Sequence, residues 1–394
     1  MTDFRRVRRA LVRKDGVVAA TLTRGDGTVT FDYHPGYDGP SVARTLPREL
    51  GSVVTHGGAL PPFFAGLLPE GRRLGAVQRA AKASADDDLT MLLMVGSDTV
   101  GDVTVVPEDA DPAPLPPAIA SMASVRFADL LTDAGFVERR ALPGVQDKVS
   151  AGMVTLPVRL GGVAAIIKLT PPDYPGIVEN EAYFLSFARR LKLPVVESEV
   201  IVDADERRGL VVRRFDRIET PDGVRSLAVE DGTQLMGKYP ADKYSVAAED
   251  LALAVAAPCA ATAVAKRAAF VQFLFAWLTG NGDLHAKNMA AVQLATGEWR
   301  VAPAYDLPST LPYGDRTMAL PLQGATSGLT RRRFLAFAGS LGLPDKAAVS
   351  AITEVLDVTA PMLDELAGGV LAWNDNLRRT VVRQLRRRRT DLAH

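Results

Sequence analysis

The sequence predicts an α+β protein with an N-terminal antiparallel β subdomain, a small strand-rich lobe and a mostly helical C-terminal lobe. Three observations carry this. Paired Asp-Gly signals sit between short β-rich runs near the N-terminus, a proline-dense stretch divides the chain, and helix-forming residues dominate from about Ala247 onward. An Asp-Gly pair between β-rich runs marks a tight hairpin.

The elements follow in order. Val17 to Thr23 and Thr28 to Tyr33 are β-rich and flank Arg24-Gly25-Asp26-Gly27, while Asp15-Gly16 supplies the other hairpin signal. Pro61 to Met94 reads as helical pieces, with Pro69 at a helix start and Ser84 or Asp86 as a cap. Thr99 to Val106 returns to strand. Asp111 to Pro117 holds four prolines in seven residues, which neither a helix interior nor a central strand accepts. This gives an N-terminal subdomain over 1–110, a linker over 111–117, a small lobe over 118–230 and a helical lobe over 231–394. In the small lobe, Val149 to Val158, Ala164 to Leu169, Glu199 to Val202 and Gly209 to Phe215 are strand-like. Between them, Val178 to Leu191 has helical periodicity through Ala182, Leu185, Ala188 and Leu191.

Composition narrows the function classes. Forty-six basic and 46 acidic residues cancel, so no overall field points to nucleic acid or membrane. Cys259 is the only cysteine, which excludes an internal disulfide and a Cys-based zinc site. His34, His56, His285 and His394 are too scattered to suggest a His-rich metal cluster. The N-terminal stretch lacks a continuous apolar run of signal-peptide type, and Ala268 to Leu278 is too short to cross a bilayer. The expectation is a cytoplasmic protein.

The chemistry concentrates in Asn281-Gly282-Asp283-Leu284-His285-Ala286-Lys287-Asn288. An Asp with an Asn five residues on is the pattern of a phosphoryl-transfer loop: the Asp orients the acceptor hydroxyl and the Asn holds a metal ion. Tyr305-Asp306 follows the strand-like Trp299-Arg300-Val301 and a turn at Pro303, placing a second carboxylate where a metal ligand belongs. Lys168 ends the apolar run that starts at Ala164. Two readings are open for it, a strand-end lysine in water or a lysine buried against phosphate. Glu179 and Glu181, in the first turns of the next helix, are both candidate partners, and Glu181 fits the helical phase better. His285 either organises the loop by a hydrogen bond or is structural, and Lys287 either neutralises the transferring phosphate or is solvated. Gly144-Val145-Gln146-Asp147-Lys148 offers a flexible backbone and a charge for phosphate, or else a plain surface turn. Arg213-Arg214-Phe215 closes a strand, and Phe215 is a candidate apolar wall for a nucleotide base.

At the C-terminus, Leu377, Val381 and Leu385 share a helical face among seven arginines between 377 and 389. A solvated helix end and a phosphate-contacting DNA patch are both open, as they are for Arg5, Arg6, Arg8 and Arg9.

With these residues in place, the chain resembles the HipA family of toxin serine/threonine kinases. The likeness runs through Phe63 to Glu70, Val95 to Thr104, Gly144 to Lys148, Ile166 to Leu169, Val178 to Glu181, Arg214 to Arg217, Glu230-Asp231, Lys243-Tyr244, Asp283 to Asn288 and Tyr305-Asp306. The resemblance implies a kinase-like two-lobed fold and transfer of the ATP γ-phosphate to a protein Ser or Thr. Asp283 would be the base, with His285 and Lys287 beside it, and Asn288 and Asp306 would hold Mg²⁺. Lys168, kept in place by Glu181, would contact phosphate. Gly144, Val145, Gln146, Asp147 and Lys148 would form the phosphate loop, and Arg213, Arg214, Phe215 and Tyr305 would border the nucleotide. It further implies an aminoacyl-tRNA synthetase as substrate class and growth arrest as outcome. A helix-turn-helix antitoxin of HipB type would hold the toxin on operator DNA, with Arg378, Arg379, Arg383 and Arg386 as DNA contacts.

Two other readings stay open. Gly282 to His285 with Asn288 also looks like the loop of aminoglycoside phosphotransferases, although the N-terminal subdomain is foreign to a minimal enzyme of that kind. A non-catalytic DNA-binding corepressor is the other, against which the intact Lys168, Asp283, Asn288 and Asp306 argue. No G-x-S-x-G elbow supports a serine hydrolase.

Two departures from the family pattern stand out. Arg213 replaces the Glu expected before Arg-Phe-Asp-Arg. Arg139-Arg140-Ala141-Leu142-Pro143 lacks the regulatory Ser that precedes the phosphate loop in family members, and Ser150 lies beyond Lys148. This loop is therefore expected to escape self-phosphorylation. Mass spectrometry after incubation with ATP should find no phosphate on residues 135–150; phosphate mapped there contradicts the reading.

Overall fold

A computed structural model describes residues 3–84, 86–111, 113–121, 125–134, 153–221 and 223–394. The candidate phosphate loop, Gly144, Val145, Gln146, Asp147 and Lys148, lies outside the described residues together with Arg139 to Pro143 and Ser150.

Asp15 and Gly16 adopt φ of 48° and 80°, the left-handed pair that a two-residue hairpin needs. They join β1 (Arg9–Lys14) to β2 (Val17–Arg24), and β3 (Thr28–Tyr33) and β4 (Val53–His56) extend the sheet. With β5 (Val103–Pro107) the order is β4-β3-β2-β1-β5, antiparallel throughout. Alternation turns Ala10, Val12, Leu22, Val29 and Phe31 into a core closed by Phe63 and Phe64 of α1 (Pro62–Gly66) and Leu89, Leu92 and Leu93 of α3 (Asp88–Val95). Helix α2 (Gly71–Ala81) starts after Glu70, just past Pro69. The cap of α3 is Asp87, whose carboxylate accepts from Thr90 N at 3.1 Å, and neither Ser84 nor Asp86 fills that place. Strand β5 begins later than expected, because Thr99 to Asp102 turn toward the second unit.

The second sheet has the order β6-β7-β8-β10-β9, formed by β6 (Ala118–Ile119), β7 (Val154–Leu160), β8 (Val163–Leu169), β9 (Ser198–Val202) and β10 (Arg208–Arg213). Only the β6–β7 pair among these is parallel. One face packs Ile167 and Val211 with Phe127 of α4 (Phe127–Asp133), and the other sends Leu210 and Val212 into the main core beside α5 (Ile177–Ala188). Past β10, the hairpin of β11 (Arg217–Thr220) and β12 (Gly223–Ser226) leads to β13 (Val229–Asp231) and α6 (Gly232–Leu235).

The two units meet through a buried charge network. The Arg214 guanidinium bonds Asp98 at 2.9 Å and Asp216 at 2.7 Å, and Arg217 reaches the same two carboxylates. Gly101 N donates to Asp216 at 2.9 Å. Buried arginines need this many acceptors to offset their lost hydration.

The helical lobe is organised around α8 (Thr262–Thr279), which is buried on nearly all sides from Ala269 onward, as a central helix must be. Around it lie α7 (Ala248–Ala256), α9 (Arg331–Ser340), α10 (Asp345–Thr359), α11 (Met362–Ala367) and α12 (Asp375–Ala393). Among the described residues no helix is long and apolar enough to cross a membrane. Helix α12 divides its arginines by role. Arg388 is buried, with its guanidinium 4.0 Å over the Trp277 ring and bonded to Trp277 O at 2.8 Å. Arg378 pairs with Asp375 at 2.7 Å. Arg379, Arg383 and Arg386 are exposed, one helical stripe at spacings of four and three.

Candidate active site

Helix α8 ends at Gly280, whose φ of 74° gives the left-handed cap that turns the chain into the loop Asn281 to Asn288. A side chain would not fit there, since a Cβ on Gly280 would lie 2.4 Å from Leu311. Asn281 Oδ1 accepts from Asp283 N at 2.8 Å, and Gly282 N donates to Thr310 Oγ1 at 2.9 Å. The loop closes in a 3₁₀ turn over Ala286–Asn288. The chain then forms the hairpin of β14 (Ala290–Gln293) and β15 (Trp299–Val301) and returns at Tyr305-Asp306.

Asp306 sits at φ 57°, a left-handed position that Asp tolerates better than most residues and that marks local strain. This backbone aims its carboxylate at two partners. Oδ1 accepts from Lys168 Nζ at 2.8 Å and Oδ2 from Asn288 Nδ2 at 2.9 Å. Lys168, on the core-facing side of β8, also donates to both oxygens of Glu181 on α5, at 2.7 and 3.0 Å. The lysine is thus buried in an ion cluster, and Glu181 is its partner. Glu179 instead faces the partly exposed Arg208 at 3.8 Å.

Burial alone would lower the Lys168 pKa, but Asp306 and then Glu181 outweigh it and hold the ammonium above its ordinary value. Burial likewise pushes Asp306 up, yet Lys168, followed by smaller contributions that include Asn288, keeps it below the usual carboxylate range. Glu181 is raised to about 7, because burial and the Asp306 charge outweigh its share of Lys168.

Asp283 is buried, and Tyr244 Oη donates to its Oδ1 at 2.8 Å. Burial and then the Asp283 charge push the Tyr244 hydroxyl far above its ordinary range, so it is a donor at any working pH. Asn288 Nδ2 also donates to Asp283 O at 2.9 Å, tying the two ends of the motif together. His285 is buried against Tyr244 with ring centroids 5.0 Å apart, and neither ring nitrogen has a hydrogen-bond partner among the described residues. Burial and then Lys243 lower its pKa to about 3, so the imidazole is neutral. Phe215 stacks on Tyr305 at 5.9 Å, and Tyr305 Oη donates to Lys287 O at 2.7 Å.

The structure therefore gathers Lys168, Glu181, Asp283, Asn288 and Asp306, with His285, Phe215 and Tyr305 beside them. Three side chains of the sequence reading lie elsewhere. Arg213 is on the outer face of the sheet, against Glu197 at 3.2 Å and Glu219 at 3.6 Å. Arg214 is taken up by the Asp98 and Asp216 network. Lys287 Nζ donates to Gly66 O at 2.7 Å and pairs with Asp231 at 3.0 Å, away from the Asp283 carboxylate partners. Sequence reasoning gave no role to Tyr244 or Asn281. Asn281 had a legible signal, an Asn two residues before the Asp whose N–H it binds; Tyr244 was marked only as part of the family-like pair Lys243-Tyr244, since it lies 39 residues from Asp283.

The family model for the HipA-like C-terminal domain matches residues 140–362, and that for the HipA N-terminal domain matches residues 10–106. Among curated relatives, the putative kinase Y4dM of Sinorhizobium fredii is 30% identical, over 88% of this chain and 89% of the relative. The serine/threonine-protein kinase toxin HipA of Shewanella oneidensis is 26% identical, over 74% of each. A solved chain from the Shewanella oneidensis MR-1 toxin–antitoxin complex of HipA, HipB and operator DNA matches with TM-score 0.77 at 20% identity, covering 98% of this chain and 97% of that one. The fold is thus the α+β, kinase-like, two-lobed fold that the sequence predicted.

The ion cluster makes a stability prediction. Lys168→Met leaves Glu181 and Asp306 buried without a cation, which costs about 3 kcal/mol at neutral pH. Both carboxylates then have folded pKa values raised above their unfolded ones. The loss is therefore smallest near pH 5 and grows as pH rises toward 8. Denaturant unfolding at the two pH values checks this; a loss independent of pH contradicts it.

Proposed function

This chain belongs to the HipA family, and we propose that it is a toxin kinase that transfers the γ-phosphate of ATP to a Ser or Thr hydroxyl of a cellular protein. One observation carries the reading: Asp283, Asn288 and Asp306 converge with the Lys168–Glu181 pair, although they come from a loop, a post-strand turn, a strand and a helix. Those are the parts that phosphoryl transfer needs in one place.

Each residue has a task in this reading. Asp283, oriented by Tyr244, accepts the hydrogen bond of the acceptor hydroxyl and takes its proton as the new P–O bond forms and the bond from the γ-phosphorus to the bridging oxygen breaks, releasing ADP. Lys168 donates to the phosphates while Glu181 holds its ammonium in place. Asn288 keeps its Nδ2 bond to Asp283 O, which leaves its amide oxygen to join Asp306 as a metal ligand. Asn288 and Asp306 would offer Mg²⁺ the hard oxygen donors that suit it. When bound, Mg²⁺ neutralises charge on the transferring phosphate. Neutral His285 fills the loop floor without adding a cation. Phe215 on Tyr305 supplies the flat apolar surface beside the base. Gly144 to Lys148 remain our assignment for the phosphate loop.

The partners follow the family. The HipA of the solved Shewanella complex is accompanied by HipB and operator DNA. We assign this chain a HipB-type helix-turn-helix antitoxin, with Arg379, Arg383 and Arg386, flanked by Arg378, toward DNA phosphates. An aminoacyl-tRNA synthetase in the cytoplasm is the substrate class we expect.

The test is transfer from γ-labelled ATP with Mg²⁺ in a lysate that supplies protein acceptors. Label should appear on a discrete protein band, and Asp283→Gln should lower the rate about 10³-fold. Label on a small molecule, or an unchanged rate in Asp283→Gln, overturns the proposal.

A further inference from the structure

The catalytic loop is held from two sides by the N-terminal unit. Lys287, inside the loop, donates to Gly66 O at the end of α1 at 2.7 Å, and its side chain is 10% exposed. Lys243 pairs with Glu70 at 3.0 and 3.1 Å, four residues further along the same segment. Lys243 O accepts from Ala286 N at 3.1 Å, so the residue that grips Glu70 also grips the loop backbone. Its neighbour Tyr244 holds the Asp283 carboxylate. The segment Pro62 to Glu70 is therefore one or two contacts from the candidate base, yet it belongs to a different core.

The fit between these surfaces is tight. A Cβ on Gly66 would lie 2.7 Å from the Gln234 side chain, whose Nε2 donates to Phe63 O at 3.0 Å. Gln234 belongs to the capping box of α6, and the cap residue Asp231 is the second partner of Lys287. A Cβ on Gly232, the first residue of α6, would lie 2.6 Å from Ala286 O. Segment, α6 and loop are thus stacked with no room for a methyl group between them.

We propose that the N-terminal unit positions the catalytic loop through Lys243 and Lys287, which act as positioning residues rather than contacts to phosphate. The unit tunes turnover without touching nucleotide. This rests on the kinase reading above, and it revises the part that the sequence suggested for Lys287. A shift of about 1 Å in a reacting group can cost about 10²-fold in rate, so a loose dock lowers kcat more than it raises KM.

Glu70→Gln, outside the catalytic loop, tests it in the full chain. Its kcat should fall about 10- to 100-fold, with KM for ATP within about twofold and the melting temperature little changed. The swap Glu70→Lys with Lys243→Glu should recover part of the kcat lost in Glu70→Lys alone. Unchanged kcat overturns the proposal, as does a joint fall of kcat, ATP affinity and melting temperature with no recovery in the swap. Hydrogen exchange on the ligand-free protein is the arm independent of activity. Faster exchange at residues 283–289 in Glu70→Gln supports the docking, and unchanged exchange overturns it. Should the unsubstituted protein transfer no label at all, the kinase reading fails, and the exchange result alone decides the docking.

Discussion

The structure depends on one buried cluster, Lys168 between Glu181 and Asp306. Each member comes from a different piece of the fold: a sheet strand, the helix that packs beneath the sheet, and the turn after the β14–β15 hairpin. An unpartnered lysine on β8 would not stay buried, and an unpartnered Asp306 would not tolerate both desolvation and a left-handed backbone. Together they fix the distance between the small lobe and the helical lobe. Such a cluster is a poor device for stability, because hydrophobic residues of the same volume do as well or better. In the kinase reading we propose, its use is chemical: a lysine held charged beside a carboxylate whose pKa stays low is prepared to meet phosphate and metal.

A second constraint acts on the loop below. Asp283, Asn288 and Tyr244 hold one another, and the surrounding groups are packed without slack, as Gly280 and Gly282 show by the clashes a Cβ would cause there. Backbone close approach of this kind turns sequence changes far from the chemistry into movements of the chemistry. The N-terminal unit touches this assembly at Gly66 and Glu70 and touches the strand end at Arg214 through Asp98. It therefore contacts both the catalytic loop's surroundings and the end of β10, which is why we infer that it works as part of the enzyme.

Much of this was legible in the sequence, for local reasons. Asp15-Gly16 specifies its hairpin within four residues, and the alternation of β2 and β3 specifies which side is core. Asp283 and Asn288 were readable because the loop keeps its two functional groups at a fixed short spacing. What was not legible depends on partners far along the chain. Arg214 resembles a nucleotide neighbour until Asp98, 116 residues away, is seen to claim it. Lys287 resembles a phosphate contact until Gly66 O, 221 residues away, is seen to accept its hydrogen bond. Glu179 and Glu181 are both acids near the start of α5, and although the helical phase favours Glu181, the packing of α5 under β8 decides between them. The α3 cap was misplaced by one residue or more because Ser84, Asp86 and Asp87 all have the required side chain, and the backbone of Asp87 decides.

The central claim is that Asp306, Asn288 and Lys168 form the site for a metal-bound nucleotide. Calorimetric titration of ATP, with and without Mg²⁺, into the unsubstituted protein and Asp306→Asn tests it most directly. The account predicts that Mg²⁺ strengthens ATP binding and that Asp306→Asn loses that gain, by about tenfold or more in Kd, a difference of about 1.4 kcal/mol. Equal Mg²⁺-dependent affinity in the two proteins, or no binding of ATP to either, contradicts it.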